Sequence, residues 1–423
     1  MRKTLAAIGA AALLLAGCTG GGGGSSESNS GPVEGDVAGE ITFQTWSLKN
    51  EKFTPFFEQV IADFEAEHPD AKVKWIDQPG DGYEEKILQQ AGSGELPDVV
   101  NLPDSFAYQL AKLGKLQDLA SADPDALDNY VQSGLEGYTF DGLDGTWGYP
   151  WYLGTDLNWW NTEILEEAGL DPDNLPASDE EFFDAAMQVA EKTGGKTPLV
   201  SAMPDIVTLE DAGIEVWDGE QFTFNTDEAA DVIDKYAELY QAGAMPAEAL
   251  NNDYAGNSTM FTQGKVGYTT STPSFVTQVD NDAPNLKDTL KASQRWNTPP
   301  MFVQGISVAS ESKNLSTAMA FAQFITNNDN QVEFVKLAQG FIPGSAEANA
   351  DPSQFTGVIE DPLMAEAVEM ATGQMERAKN NTIMTYTDDM KQYFGQQIAL
   401  ALKGDITSKE ALDKTVEYCN NAL

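Results

Sequence analysis

The chain has 423 residues, with 24 basic and 67 acidic side chains and a formal net charge of −43. A surface this acidic repels nucleic acid and anionic lipid, so neither is an expected partner, and the charge speaks of solubility rather than of fold. Two cysteines and a single histidine argue against a Cys/His zinc site within the chain, and no cofactor is expected.

Residues 1–17 read as an export signal. Arg2 and Lys3 form a basic start, residues 5–15 an apolar run, and Leu15-Ala16-Gly17-Cys18 a small-residue processing site. The apolar run is too short to span a bilayer as a stable helix. The site resembles the lipobox of bacterial lipoproteins, which implies cleavage before Cys18 and a lipid on that cysteine. An ordinary signal peptide with an incidental cysteine is the alternative. Residues 18–39 then form a linker, Gly/Ser-rich over 20–30, that cannot pack and suits a flexible tether reaching roughly 20 Å. No later segment approaches the length of apolar sequence that a membrane span needs. The remainder, from residue 40 on, is long enough for two domain-sized cores.

Alternating polarity over 40–46 predicts a strand. Over 53–68, Phe56, Phe57, Val60, Ile61 and Phe64 share one helical face, and Pro69 ends the helix. A strand at 71–76, a helix at 83–91, a buried strand at 97–102 and a helix at 107–113 come next. This alternation predicts an α/β fold, in which ligands gather beyond the carboxyl ends of the strands: here 46–50, 78–81 and 103–106. A second block has strands at 157–160, 266–270 and 302–309. Its helices fall at 180–192, 227–241, 317–326, 331–338, 388–402 and 409–422, the first with Ser178 and Glu181 as a capping box.

Catalytic signatures are missing. There is no G-x-S-x-G elbow, Walker-A loop or H-E-x-x-H pair, and His68 reads as a helix-terminal residue before proline. The run Asp171-Pro172-Asp173-Asn174 is no EF-hand, because Leu175 and Pro176 stand where the loop needs an oxygen ligand and a glycine. The tryptophans say more. Sugar rings present C–H faces that stack on aromatic planes, and their hydroxyls want short polar side chains beside them. The stretch 146–152 has that mixture, and Trp46 and Trp151 are the candidate stacking residues. Trp159, Trp160 and Trp217 read as structural.

With these elements in place, the sequence resembles the extracellular solute-binding proteins of ABC importers, in particular the sugar-binding group that includes maltose-binding protein. The likeness runs from Glu40 to Leu423. It is carried by ITFQTW at 41–46, FEAEHPDAKV at 64–73 and the run at 92–119. It continues in the run at 147–171, FTQGKVGYTTSTPSF at 261–275, GISVASESKN at 305–314 and ALKGDITSKEALD at 401–413. The resemblance implies a periplasmic-binding-protein-like fold: one lobe from 40–152 plus 304–350, another from 153–303 plus 351–423. The links would lie near 152–157, 301–304 and 342–351, with ligand in the cleft between. By the same pattern the cleft would be lined by Trp46, Lys49, Asn50, Asp104, Ser105, Tyr152, Gly154 and Thr155, beside the stacking candidate Trp151. From the second lobe would come Ser271, Thr272, Ser274 and Phe275, joined by Gln304 and by Asp388 or Lys391. Gly154 departs from the group, since many sugar binders carry an acid there. Ser274 stands where the group has a stacking tryptophan, and Phe275 is the candidate substitute. The implied partners are a small carbohydrate and membrane permease subunits, with the chain a monomer. Rival readings are an exported glycoside hydrolase using two carboxylates, a structural lipoprotein, or the same fold with another solute such as a polyol, a phosphosugar or iron. Iron sites of related proteins favour adjacent tyrosines, and no Tyr-Tyr pair occurs. An anion would want clustered cations, of which only Lys49 and Lys391 are candidates.

Overall fold

The computed structural model describes residues 31–251, 254–380 and 383–423. The expected signal and Cys18 lie outside the described residues. Two sheets organise the chain. The larger is built from β1 (Gly39–Trp46), β2 (Ala71–Gln78), β3 (Val99–Pro103), β4 (Tyr149–Gly154), β8 (Phe302–Val308) and β9 (Ile342–Pro343), in the order β2-β1-β3-β8-β4-β9. The smaller is built from β5 (Leu157–Asn161), β6 (Tyr268–Ser271) and β7 (Leu290–Ser293), in the order β6-β5-β7.

The apolar periodicities explain the first sheet. β1 is parallel to β2, with Gly39 opposite Ala71 and Trp46 opposite Gln78, and parallel to β3. Parallel neighbours need a crossover, and helices Thr54–Glu67 and Tyr83–Ser93 supply them. The first helix buries Phe57, Val60 and Phe64, while Phe56 and Ile61 are partly covered. Phe43 of β1 meets Phe57 at 6.0 Å and Phe321 at 5.2 Å. β8 then enters antiparallel to both β3 and β4, so the late segment 302–308 closes the sheet begun at residue 39.

The second lobe packs its sheet against helix Pro362–Gly373, a helix that the sequence reading did not identify. Helices Asp227–Gln241, Asp388–Lys403 and Ser408–Ala422 pack on one another in the same half of the chain, and Cys419 is a free thiol buried there. The expected capping box at Ser178 is modified. Ser178 Oγ accepts from Glu181 N at 3.2 Å, but the Glu181 carboxylate accepts from Ala177 N rather than from Ser178 N.

Three links join the sheets. Thr155 and Asp156 connect β4 to β5, and 294–301 connect β7 to β8. The third differs from its expected place at 342–351, because those residues form β9 and a helix on the first lobe. Helix Ser353–Thr356 still packs on the first-lobe helix Asn328–Leu337, so the link runs through 357–361 into Pro362–Gly373.

Trp151 sits in the first-lobe core, 4.4 Å from Phe334 and 5.9 Å from Phe57 between ring centres. Its indole Nε1 is buried with no hydrogen-bond partner. Trp151→Ala is therefore expected to cost about 3–5 kcal/mol of stability. Trp151→Phe is expected to cost markedly less, because it also removes an orphaned donor. Urea unfolding midpoints of the two variants check the ranking.

Candidate functional site

The carboxyl ends of β1 and β3 carry an aromatic row. Trp46 closes β1, half-buried, with its ring 5.9 Å from that of Tyr83, which is 6.3 Å from Phe106. Gly80 lies under the indole. A Cβ there would stand 3.3 Å from Trp46 Cε3, so a side chain at residue 80 would press on the ring. The Trp46 Nε1 is buried without a partner in this structure. Tyr83 donates from its hydroxyl to the Asn101 carbonyl at 2.9 Å, and burial holds its phenol far above the ordinary value.

The row leads to Asp104, the first residue of helix Asp104–Lys112. Its Oδ1 accepts from Ser105 N at 2.8 Å and its Oδ2 from Asn380 Nδ2. Desolvation raises the Asp104 pKa above the usual carboxylate value, and the two hydrogen bonds oppose that rise. Asn380 follows Lys379, which runs beside the β7–β8 link: Met301 N donates to Lys379 O at 2.8 Å, and Lys379 N to Pro299 O at 3.0 Å. The Asp104–Asn380 bond thus ties the start of this first-lobe helix to the segment that runs beside the β7–β8 link. Behind it, β3, β8 and β4 set Pro103 opposite Gln304, and Gln304 opposite Tyr152. Asn101 donates to Gln304 Oε1 at 3.4 Å, and its own Oδ1 is buried without a partner.

The structure therefore brings together Trp46, Asp104, Ser105, Tyr152 and Gln304 of the expected set. It adds Tyr83, Asn101, Phe106 and Asn380. Asn101 had one visible signal, a lone amide inside the apolar strand PDVVNL.

Other expected residues are placed elsewhere. Trp151 is a correction: it is fully buried, and a ring packed on Phe334 and Phe57 cannot stack on a ligand. Phe275 is another. It is buried 5.5 Å from both Trp159 and Phe261, as the first residue of helix Phe275–Asp282. Asn50 is spent locally, its Oδ1 accepting from Lys52 N and Phe53 N and its amide donating to Ser47 O. Lys49 lies over the Trp75 ring on the outer strand β2, 4.8 Å from its centre. Asp388 is an exposed helix-start residue bonded to Lys391 at 3.0 Å, so this pair occupies one surface turn. Thr155 is buried within the first link, where it accepts from Gln374 Nε2 at 3.3 Å. Ser271 and Thr272 are half-exposed and Ser274 exposed. The Thr272 and Ser274 hydroxyls are 2.8 Å apart, and the Ser271 carbonyl accepts from Trp159 Nε1 at 2.9 Å.

A second carboxylate flanks the β7–β8 link. Glu210 lies in the last turn of helix Ile206–Asp211 beside Asp211, whose Oδ1 accepts from Thr298 N at 3.3 Å. Glu210 Oε2 is buried without a partner. Desolvation first, then the charges of Asp211 and Asp205, push its pKa up to about 7, against an opposing pull from Lys379. Among the described residues no group of three or more His, Cys, Asp or Glu side chains is placed to hold a metal.

The folded protein thus binds the Glu210 proton more tightly than the unfolded chain does. Stability contributed by the protonated form is lost as pH rises from about 4.5 to about 7. The melting temperature is expected to fall across that window, and less steeply in Glu210→Gln. Thermal unfolding at about pH 5 and pH 7.5 reads the difference, and equal slopes in the two proteins would remove Glu210 as the cause.

Comparison with known proteins fits this architecture. The family model described as bacterial extracellular solute-binding protein matches residues 59–366. A galactooligosaccharide-binding protein of Bacillus subtilis (strain 168) is 23% identical over 382 residues, covering 86% of this chain and 85% of that protein. Among solved structures, a periplasmic-binding protein of Synechococcus sp. MITs9220 superposes with a TM-score of 0.80 at 24% identity, over 90% of this chain and 98% of the other. The cyclic α-maltosyl-1,6-maltose binding protein of Arthrobacter globiformis gives 0.73 at 22% identity, over 93% and 99%. No helix among the described residues is long and apolar enough to cross a membrane. With its family model spanning most of the chain and its two-sheet fold shared with such structures, the chain belongs to the bacterial extracellular solute-binding proteins.

Proposed function

We propose that this protein is the lipid-anchored substrate-binding component of an ABC importer, and that it captures a di- or oligosaccharide without transforming it. The observation that carries the reading is the row Trp46–Tyr83–Phe106 ending in the Asp104–Asn380 bond. Flat apolar rings beside a carboxylate and amides match the two chemistries of a sugar, C–H faces and hydroxyls. The relatives named for galactooligosaccharides and for cyclic maltosyl-maltose support the class of solute.

In this reading the sugar enters between the lobes and stacks on the exposed part of Trp46. Its hydroxyls donate to Asp104 and Gln304 and meet the Thr272–Ser274 hydroxyls from the second lobe. Closure is a hinge motion about the links at 155–156, 294–301 and 357–361, stabilised by contacts that one ligand makes to both lobes. Asp104 acts as a hydrogen-bond acceptor rather than as an acid–base catalyst. The closed form is what a membrane permease recognises, and Cys18 keeps the monomeric trap beside it.

A thermal-shift panel of maltose, lactose, cellobiose and their trisaccharides tests the solute class, since a ligand of the native state raises its stability by mass action. At least one saccharide should raise the melting temperature and be recovered intact, and a panel without any shift overturns the reading. Trp46→Ala should weaken binding of that saccharide by about 1–3 kcal/mol, roughly 5- to 150-fold in Kd. Unchanged affinity would take Trp46 out of the site. Cys18→Ala should move the protein from the membrane fraction to the soluble fraction of the producing cells, and persistence in the membrane would count against the anchor.

A further inference from the structure

We infer that the hinge side of the cleft holds an apolar platform, formed by Phe302 and Phe341 over Gly154, that takes one sugar unit of the ligand by its C–H face. The inference rests on the saccharide reading above and specifies where the ligand meets the hinge and by what chemistry.

Gly154 is the last residue of β4, and the antiparallel register sets it opposite Phe302 on β8, two residues from the Tyr152–Gln304 pair. Side chains alternate along a strand, so Tyr152, Gln304 and Phe302 stand on one face, with residue 154 between them bare. A Cβ built on Gly154 would lie 3.7 Å from Phe302 Cδ2 and 3.8 Å from Phe341 Cδ1, so the two rings flank the bare backbone. Gly154 is not among the glycines of positive φ, and that Cβ would meet only ordinary contacts. Neither backbone conformation nor crowding explains a glycine here. Its effect is to leave the backbone bare between two phenyl rings.

Those rings are exposed where large apolar side chains normally are not. Phe302 is 43% and Phe341 39% exposed, although both stand beside a link between lobes. Scattered surface apolar residues need no explanation, but two rings flanking one backbone position form a surface. Phe341 is fixed by an edge contact to Tyr152 at 4.9 Å. The second lobe reaches the same place, since a Cβ on the neighbouring Gly340 would stand 2.9 Å from Ser274 Cβ. That contact brings the hydrogen-bonded Thr272 and Ser274 hydroxyls alongside. The platform is thus apolar in the middle, with the Tyr152 ring against Phe341 and two hydroxyls from the opposite lobe beside Gly340. A pyranose lying on it would bury its C–H face on the rings and direct its hydroxyls to the rim.

An acid at residue 154, the feature expected of many sugar binders, would grip hydroxyls. Gly154 replaces that polar grip with stacking, so selectivity here falls on the shape of the apolar face rather than on a hydroxyl pattern. Titration calorimetry with whichever panel saccharide gives the largest thermal shift tests this on the full exported chain. Phe302→Ala and Phe341→Ala are each expected to weaken binding at least about fivefold. Gly154→Asp, which wedges a charge between the rings, should weaken it more than tenfold. Unliganded melting temperatures and circular dichroism separate lost binding from lost folding, and Phe341→Leu should recover part of the loss of Phe341→Ala. If the wild type binds no saccharide, the proposed function fails. If it binds one, and both alanine variants bind as tightly or Gly154→Asp binds more tightly, the platform alone is overturned.

Discussion

The carboxamide of Gln374 holds the two lobes' connections together. It is completely buried at the end of helix Pro362–Gly373. Its Nε2 donates to the Asp156 carbonyl at 2.8 Å and to Thr155 Oγ1 at 3.3 Å, both on the β4–β5 link. Its Oε1 accepts from Arg295 N at 3.0 Å, on the β7–β8 link. Chain that leaves one sheet for another carries backbone groups with no strand partner, and burying them unpaired costs about 1–3 kcal/mol each. One amide satisfies both links at once. Arg377 extends the clamp by donating to the Arg295 and Asn297 carbonyls. Everything that meets at the hinge inherits this registration, including Gly154, Phe302 and the Lys379–Asn380 segment that reaches Asp104.

The second organising constraint is electrostatic. In a chain with 67 acidic side chains, most carboxylates sit in water and their number says little. Asp104, Glu210 and Asp211 differ because burial takes them partly out of water, the first on the first lobe and the other two beside a link. Burial disfavours their charge, and each is incompletely compensated: Asp104 by an amide and a backbone N–H, Asp211 by the Thr298 N–H, Glu210 by the charge of Lys379. Groups held in that condition gain from a partner that brings hydrogen-bond donors, which a polyhydroxylated solute does. The buried Trp46 Nε1 and Asn101 Oδ1, which have no hydrogen-bond partner, add to this unmet polar capacity.

Periodicity carried the reading of the elements a long way, and its failures are local and physical. The strands and crossovers from Gly39 to Pro103 follow from alternating and 3.6-residue patterns that burial enforces. Trp151 escaped because β4 is irregular between Pro150 and Tyr152. Strict alternation would point neighbouring residues to opposite faces, yet both rings reach Phe334, at 4.4 and 5.2 Å. Phe275 turned inward because the chain begins a helix there, leaving Ser274 as the exposed neighbour. Lys49 and Asn50 follow a β-strand as ligand-facing residues do, but the turn itself consumed the Asn50 side chain and Trp75 attracted the lysine. The helix Pro362–Gly373 was missed because its apolar residues, among them Met364, Ala367, Val368 and Ala371, are largely small and give a weak stripe.

By itself the sequence determined the α/β class, the alternation of elements, and the placing of Trp46 and Asp104 at the carboxyl ends of the first-lobe strands. These depend on patterns within a few residues, where hydrophobic period and strand termini are visible. The tertiary structure alone decided which aromatic rings stay partly exposed and which fill the core, since one strand irregularity or one helix start reverses a side chain. It alone joined Asn380 to Asp104 across 276 positions. It also set Phe302 and Phe341 over Gly154, because those contacts come from segments that only the closing of β8 and β9 onto β4 brings together.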